Sequence, residues 1–160
     1  MSFHDQIEAN AARNGAIREL VTFKAADQDF CVDIMSIREI RGWSKTTVMP
    51  HAPDYVLGVM NLRGAVVPVI DLSRRLGLGV TEADGRHVII IALIGDQTVG
   101  LLVESVSDIL GISTESIQPT PEIASDSARS FVSGIICVEK RTLRLIDLER
   151  LLPQTAIDMA

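Results

Sequence analysis

Residues 58–76 read GVMNLRGAVVPVIDLSRRL, and residues 134–152 read GIICVEKRTLRLIDLERLL. The two stretches align without a gap: a glycine opens each, Asp71-Leu72 falls on Asp147-Leu148, and Arg74 falls on Arg150. Agreement between copies points to a shared folding requirement, and disagreement marks where one copy has taken on work of its own. The sharpest disagreement is Asn61-Leu62-Arg63-Gly64 against Cys137-Val138-Glu139-Lys140. The correspondence continues upstream, where Asp27-Gln28 falls on Asp96-Gln97, Gly42 on Gly111, Pro50 on Pro119, and Phe30, Val32 and Ile34 on Val99, Leu101 and Val103. The offset lengthens between Pro119 and Gly134, which places an insertion in the polar run TPEIASDSARS at 120–130. Two copies cannot make a solenoid array. They predict two similar small β bodies, with repeat units at about 20–76 and 89–152 and a hinge at 79–86, GVTEADGR.

Within each copy the hydrophobic period is two. Val21 and Phe23 alternate with Thr22 and Lys24, a polar turn follows, and Phe30, Val32 and Ile34 alternate with Cys31 and Asp33, which predicts a hairpin. The spacing Ile34, Ile37, Ile40 then predicts a helical turn or a bend, with Glu39 and Arg41 pointing outward. Pro50 and Pro53 mark 43–55 as a surface loop. A strand at 56–61, a turn at Leu62-Arg63-Gly64 and a strand at 65–70 come next, with Pro68 demanding an edge or a bulge. Asp71 caps a short helix that Gly77 ends, and Asp147 takes the same capping role in the second copy. In 88–94, VIIIALI, both faces are apolar, so this strand is expected to be covered on two sides, by its own core and by the other barrel. Short strands in this number close into small barrels more readily than they form open sheets, because closure removes exposed edges.

A chain of 160 residues suffices for one domain or two very small ones, and as one body it would bury about 70% of its unfolded surface. Cys31 and Cys137 lie far apart among apolar neighbours and read as reduced core thiols, pointing to the cytoplasm. No apolar run approaches the ~20 residues of a membrane helix, and MSFHDQIEANAARNG at the start lacks a hydrophobic signal region. Residues 1–17 and 153–160 read as tails flanking a folded unit at 18–152. The net charge of −6, with cations scattered along the chain, argues against nucleic acid as a partner.

Catalytic chemistry finds little support. His4, His51 and His87 stand far apart and away from metal-ligand spacing, so no metal, cofactor or catalytic residue is expected. Phosphate-binding glycine loops and a nucleophile elbow are missing from the sequence. Arg63 differs from these. It is a permanently charged fork at a turn tip, where the repeat mate carries the opposite charge, and it reads either as a solvated turn cation or as a binding residue. Glu39 has an acidic mate, Asp108, so a structural role competes with a binding one. Gly58 reads as structural, allowing close backbone approach in both copies.

The run Ile37-Arg38-Glu39-Ile40, then 53–58, Asn61-Leu62-Arg63-Gly64, 67–72 (VPVIDL), Gly100-Leu101-Leu102-Val103 and Val106-Ser107-Asp108 together resemble the CheW family of bacterial chemotaxis coupling proteins. The resemblance covers about 18–152. It implies a mainly β fold of two SH3-like five-stranded β-barrels and a non-enzymatic adaptor. Its implied partners are the cytoplasmic tip of a chemoreceptor and the regulatory domain of the CheA histidine kinase, at membrane-associated receptor arrays in the cytoplasm, without membrane insertion. By position, Arg63 matches the arginine associated with receptor binding, with Asn61 in the same motif. Ile37, Glu39 and Gly58 match coupling positions, and Ile109 falls beside the groove between the barrels. The competing readings are a coupling protein of another receptor pathway, and a small-ligand binder or enzyme using that groove. The last predicts a deep polar pocket with converging titratable groups.

Overall fold

The computed structural model describes residues 16–121 and 130–152. Residues 1–15 of the first tail, the second tail and most of the inserted run fall outside them, while Ile17, read as tail, opens the first strand. Among the described residues ten strands form in chain order: β1 (Ile17–Ala25), β2 (Gln28–Asp33), β3 (Ile37–Gly42), β4 (Val56–Leu62), β5 (Ala65–Asp71), β6 (Val88–Ile94), β7 (Gln97–Val103), β8 (Ser105–Ser113), β9 (Val132–Val138) and β10 (Arg141–Ile146). A one-turn helix, α1 (Leu72–Arg75), follows β5, and a 3-10 turn, Leu148–Leu151, takes its place after β10. The tight turns are set by residues in the left-handed region: Ala26 and Asp27 between β1 and β2, Arg63 and Gly64 between β4 and β5, and Glu139 between β9 and β10.

The strands form two five-stranded sheets, ordered β8-β1-β2-β10-β9 and β3-β6-β7-β5-β4. Each closes on itself through one bridge beyond its edge strands. Thr47 exchanges two 2.8 Å backbone hydrogen bonds with Val59 of β4, and Gln118 exchanges two of 2.8 Å with Ile135 of β9. These are the two SH3-like barrels. They do not coincide with the repeats, which corrects the expectation that each copy is its own β body. The first copy lends β1 and β2 to the barrel built from β8, β9 and β10. The second lends β6 and β7 to the barrel built from β3, β4 and β5. The loan is made through parallel pairing, Arg144 and Leu145 beside Phe30 and Cys31 in one barrel, Val69 to Asp71 beside Gly100 to Leu102 in the other.

The exchange is symmetric to the residue. Ile37 and Glu39 of β3 stand opposite Ala92 and Ile91, with Arg38 bulged between them. Val106 and Asp108 of β8 stand opposite Phe23 and Thr22, with Ser107 bulged in the same place. A pseudo-two-fold axis therefore relates the barrels. Arg75 lies close to it: its guanidinium sits 4.3 Å from the Tyr55 ring and 4.8 Å from that of Phe131, the repeat mate of Tyr55, while its Nε donates to the Leu151 carbonyl at 2.7 Å.

Each barrel has a small interior of its own, Met60, Leu62, Val67, Val69, Ile89, Ile91 and Leu102 in one, Leu20, Cys31, Ile136, Leu143 and Leu145 in the other. The largest core lies between them and includes Phe23, Phe30, Ile70, Leu72, Ile90, Leu101 and Leu151. Strand β6 is covered on both sides as expected, by the barrel interior beneath Ile89 and Ile91 and by the shared core beneath Ile90 and Ala92.

The helical turn expected after Ile34 is present as a 3-10 turn at Ile34–Ser36, and the Arg38 bulge is what then lets Ile37 and Ile40 share a side of one strand. Three local expectations are corrected. The connector at 43–55 is more than a surface loop, because Thr47 closes a barrel. Asp71 makes no cap hydrogen bond. Fully buried, it accepts from the Thr81 backbone N–H at 2.7 Å and from the Thr81 hydroxyl at 2.6 Å, which pins the chain leaving α1; Asp147 makes no cap bond either and pairs with Arg150 at 3.2 Å. Pro68 sits in an interior strand, one residue before the parallel pairing with β7 begins, opposite Val59. Both backbone groups of Val59 point to Thr47, so Pro68 faces no acceptor there that needs an N–H.

Cys31 is buried, and burial pushes its thiol up to about 12 against a smaller opposing pull from Arg18, whereas Cys137 is exposed rather than a core thiol. Native protein is therefore expected to take up one equivalent of a thiol reagent at pH 8 and a second only after denaturation, read by mass spectrometry. Rapid native labelling of Cys31 would contradict this.

Candidate functional site

Strands β3 and β4 lie at opposite ends of their sheet, as do β8 and β9 of theirs. Closure brings each pair of ends together, and the turn after β4 or β9 then reaches the edge strand of its own barrel. Arg63, at the tip of the β4–β5 turn, accordingly meets Glu39 on β3 through an ion pair between its Nη2 and the carboxylate Oε1. Arg41 reaches the other oxygen, Oε2, at 3.6 Å. The hydrogen bond from Arg63 leads the causes that hold the Glu39 carboxyl below its usual range. Arg63 still presents 72% of its side chain to solvent. Asn61 holds the turn in shape, its Oδ1 accepting from the Gly64 N–H at 2.9 Å.

The other barrel keeps the acidic mate, Asp108, but surrounds it with a different balance of charge. Asp108 on β8 accepts from the Thr22 hydroxyl through Oδ1 and faces Arg141 through Oδ2 at 3.8 Å, and Arg141 also lies 4.0 Å from Asp29. Thr22 is fully buried, and its hydroxyl is satisfied by Asp108. Its repeat mate is Ile91, which offers nothing to Glu39, so Glu39 keeps both oxygens for arginines.

Between the two edge strands runs an open groove of about 700 Å³. Its walls are the repeat mates Ile37 and Val106, Glu39 and Asp108, and Ile40 and Ile109, with Val21 and Ile34 among the floor residues. Ile40 and Ile109 are 45% and 44% exposed, an unusual state for large aliphatics on strands. Mates facing each other across one groove place it on the pseudo-two-fold axis. Of the residues read from the sequence, Ile37, Glu39 and Ile109 line the groove, Arg63 bonds to its wall, and Asn61 shapes the turn that carries Arg63. Gly58 lies under the barrel-closing bridge instead, where a Cβ would fall 2.2 Å from the Thr47 carbonyl oxygen. Sequence reasoning missed Ile40, Arg41 and Arg141; the symmetric placement of Ile40 on Ile109 was the available signal.

Glu39 and Asp108 are the only titratable groups on the groove lining, and no cluster of metal-ligating residues occurs among the described residues. An open apolar groove with charged walls is the kind of surface into which an amphipathic helix can dock. Residues 19–156 match the CheW-like domain. The chain is 54% identical over 147 residues to the probable chemotaxis protein CheW of Rhizobium etli, covering 92% of this chain and 95% of that one. It is 55% identical to the chemotaxis protein CheW of Rhizobium meliloti, covering 90% and 94%. The crystal structure of the scaffolding protein CheW from Thermoanaerobacter tengcongensis superimposes with a TM-score of 0.78 at 32% identity, covering 85% of this chain and 92% of that one. The chain belongs to the CheW family of chemotaxis scaffold proteins.

Proposed function

We propose that residues 18–152 act as one non-enzymatic adaptor in the cytoplasm, at membrane-associated receptor arrays, coupling a chemoreceptor's cytoplasmic tip to the regulatory domain of CheA. The observation that carries this reading is the apolar groove on the pseudo-two-fold axis, shaped for one helix of a receptor hairpin in the helix-in-groove mode. Ile37 and Ile109 supply the apolar contact from opposite walls, while Arg63, mostly exposed yet tethered to Glu39, offers donors to a receptor carboxylate or to carbonyls at a helix end. Asn61 and Gly58 act on binding through the turn and the barrel closure that carry Arg63.

Titration of a receptor cytoplasmic fragment and, separately, of the CheA regulatory domain tests it. Arg63→Ala is expected to weaken receptor binding by about fivefold to 150-fold, in line with about 1 to 3 kcal/mol for a charged hydrogen bond. The variant should keep its melting temperature, since a solvent-screened ion pair adds little to folding. Wild-type protein that binds neither partner would remove the adaptor reading.

A further inference from the structure

The groove's symmetry raises a question of direction. A pseudo-two-fold axis maps one apolar wall of the groove onto the other, so the mates Ile37 and Val106, and Ile40 and Ile109, present nearly the same surface to a helix lying either way round, while Val21 and Ile34 line the floor without their mates. Contact with the apolar walls supplies affinity and carries little information about which way the helix runs. The charges do not obey the symmetry. On the β3 wall two arginines, Arg41 and Arg63, share one carboxylate, Glu39. Behind the β8 wall one arginine, Arg141 of β10, lies between two carboxylates, Asp108 of β8 and Asp29 of β2. The surrounding mates add to the contrast, Arg38 against Ser107 and Arg63 against Glu139.

From this inversion we infer that the two triads set the direction of a bound helix, and that the occupant is an amphipathic helix with an acidic flank on one side of its apolar stripe and a basic or neutral flank on the other. The acidic flank lies along β3 and the basic flank along β8. Turning a helix end over end in the groove exchanges its flanks, so fixing which flank meets β3 fixes which end points where. This inference rests on the groove reading above and adds the polarity of the ligand. Because both triads stand at a solvent-open rim, the preference is a screened electrostatic one, expected to favour one direction by about tenfold at low salt.

Two designed helical peptides of the same composition test it, each with the same leucine stripe, one with glutamates on the left flank and lysines on the right, the other with these exchanged. Each carries a nitroxide at its N-terminus and is titrated into the full chain, and the loss of amide signal is read at the two ends of the groove. The expected result is that one peptide broadens one end, the exchanged peptide broadens the opposite end, and the preference fades at about 1 M salt, where the screening length is ~3 Å. Arg41→Glu together with Arg63→Glu should weaken or invert the preference while apolar binding persists. If both peptides bind but broaden the same end, or both ends equally, the directional inference is overturned and the groove reading stands. If neither binds, both fall.

Discussion

Gly58→Ala is expected to destabilise the protein by about 3 to 5 kcal/mol, whereas the equivalent Gly134→Ala costs about 1 to 2. Gly58 adopts φ +147°, a region open almost only to glycine, and a Cβ there would meet backbone, the Thr47 carbonyl oxygen at 2.2 Å and its carbon at 2.7 Å. Backbone cannot step aside without opening the two hydrogen bonds between Thr47 and Val59 that close the barrel. Strain of about 1 to 3 kcal/mol and the loss of two bonds of about 1 kcal/mol each make up the expected cost. At Gly134 the backbone is outside the left-handed region and the nearest obstacle is a side-chain methyl, the Ile117 Cγ2 at 2.5 Å, with the Gln118 carbonyl at 3.1 Å, so the neighbour must shift but no backbone strain is added. Urea denaturation of the two variants checks the ranking, and equal costs would contradict it. The Gly58 variant should also lose groove binding more than its stability alone explains, because an open barrel no longer sets Arg63 against Glu39.

The second large effect is at Asp71. Asp71→Ala removes a fully buried carboxylate and strands the Thr81 N–H and hydroxyl, an expected cost of about 3 kcal/mol. Thr81→Val keeps the backbone bond and should cost about 1 kcal/mol, and the double variant should cost less than the sum, since both changes break the same link. Asp147→Ala, at the matching place in the second copy, should stay within about 0.5 kcal/mol, because its partner Arg150 is largely exposed. Thermal melts of the four proteins decide this; a large cost at Asp147 would mean that the repeat mates share a role after all.

The repeat, the hairpins, the two-sided cover of β6 and the exposed turn position of Arg63 were all legible in the sequence, because each depends on local period or on comparison between copies. The exchange of strand pairs was not. When two copies resemble each other, the hairpin of either copy fits beside the strands of either, and the apolar pattern is the same for both pairings. The bulges at Arg38 and Ser107 were hidden for another reason: one extra residue turns a period of two into a spacing of three, which imitates a helix. Likewise, Glu39 and Arg63 lie on elements that meet only once the sheet has rolled shut, so no spacing along the chain announces their pairing.

The strand exchange also sets a timetable. The barrel of β3 to β7 is one unbroken stretch, 37–103, and all five of its strands exist as soon as β7 has left the ribosome. The other barrel is made from the two ends of the folded region, and the β1–β2 hairpin has no partner on its far side until β10 is synthesised, when Cys31 comes to lie beside Leu145. For most of translation the earliest-made hairpin must wait with Leu20 and Cys31 uncovered by the strands that complete its own barrel. Chains halted before β10 should therefore carry one finished barrel and one sticky hairpin, a state prone to aggregation and to recognition by chaperones.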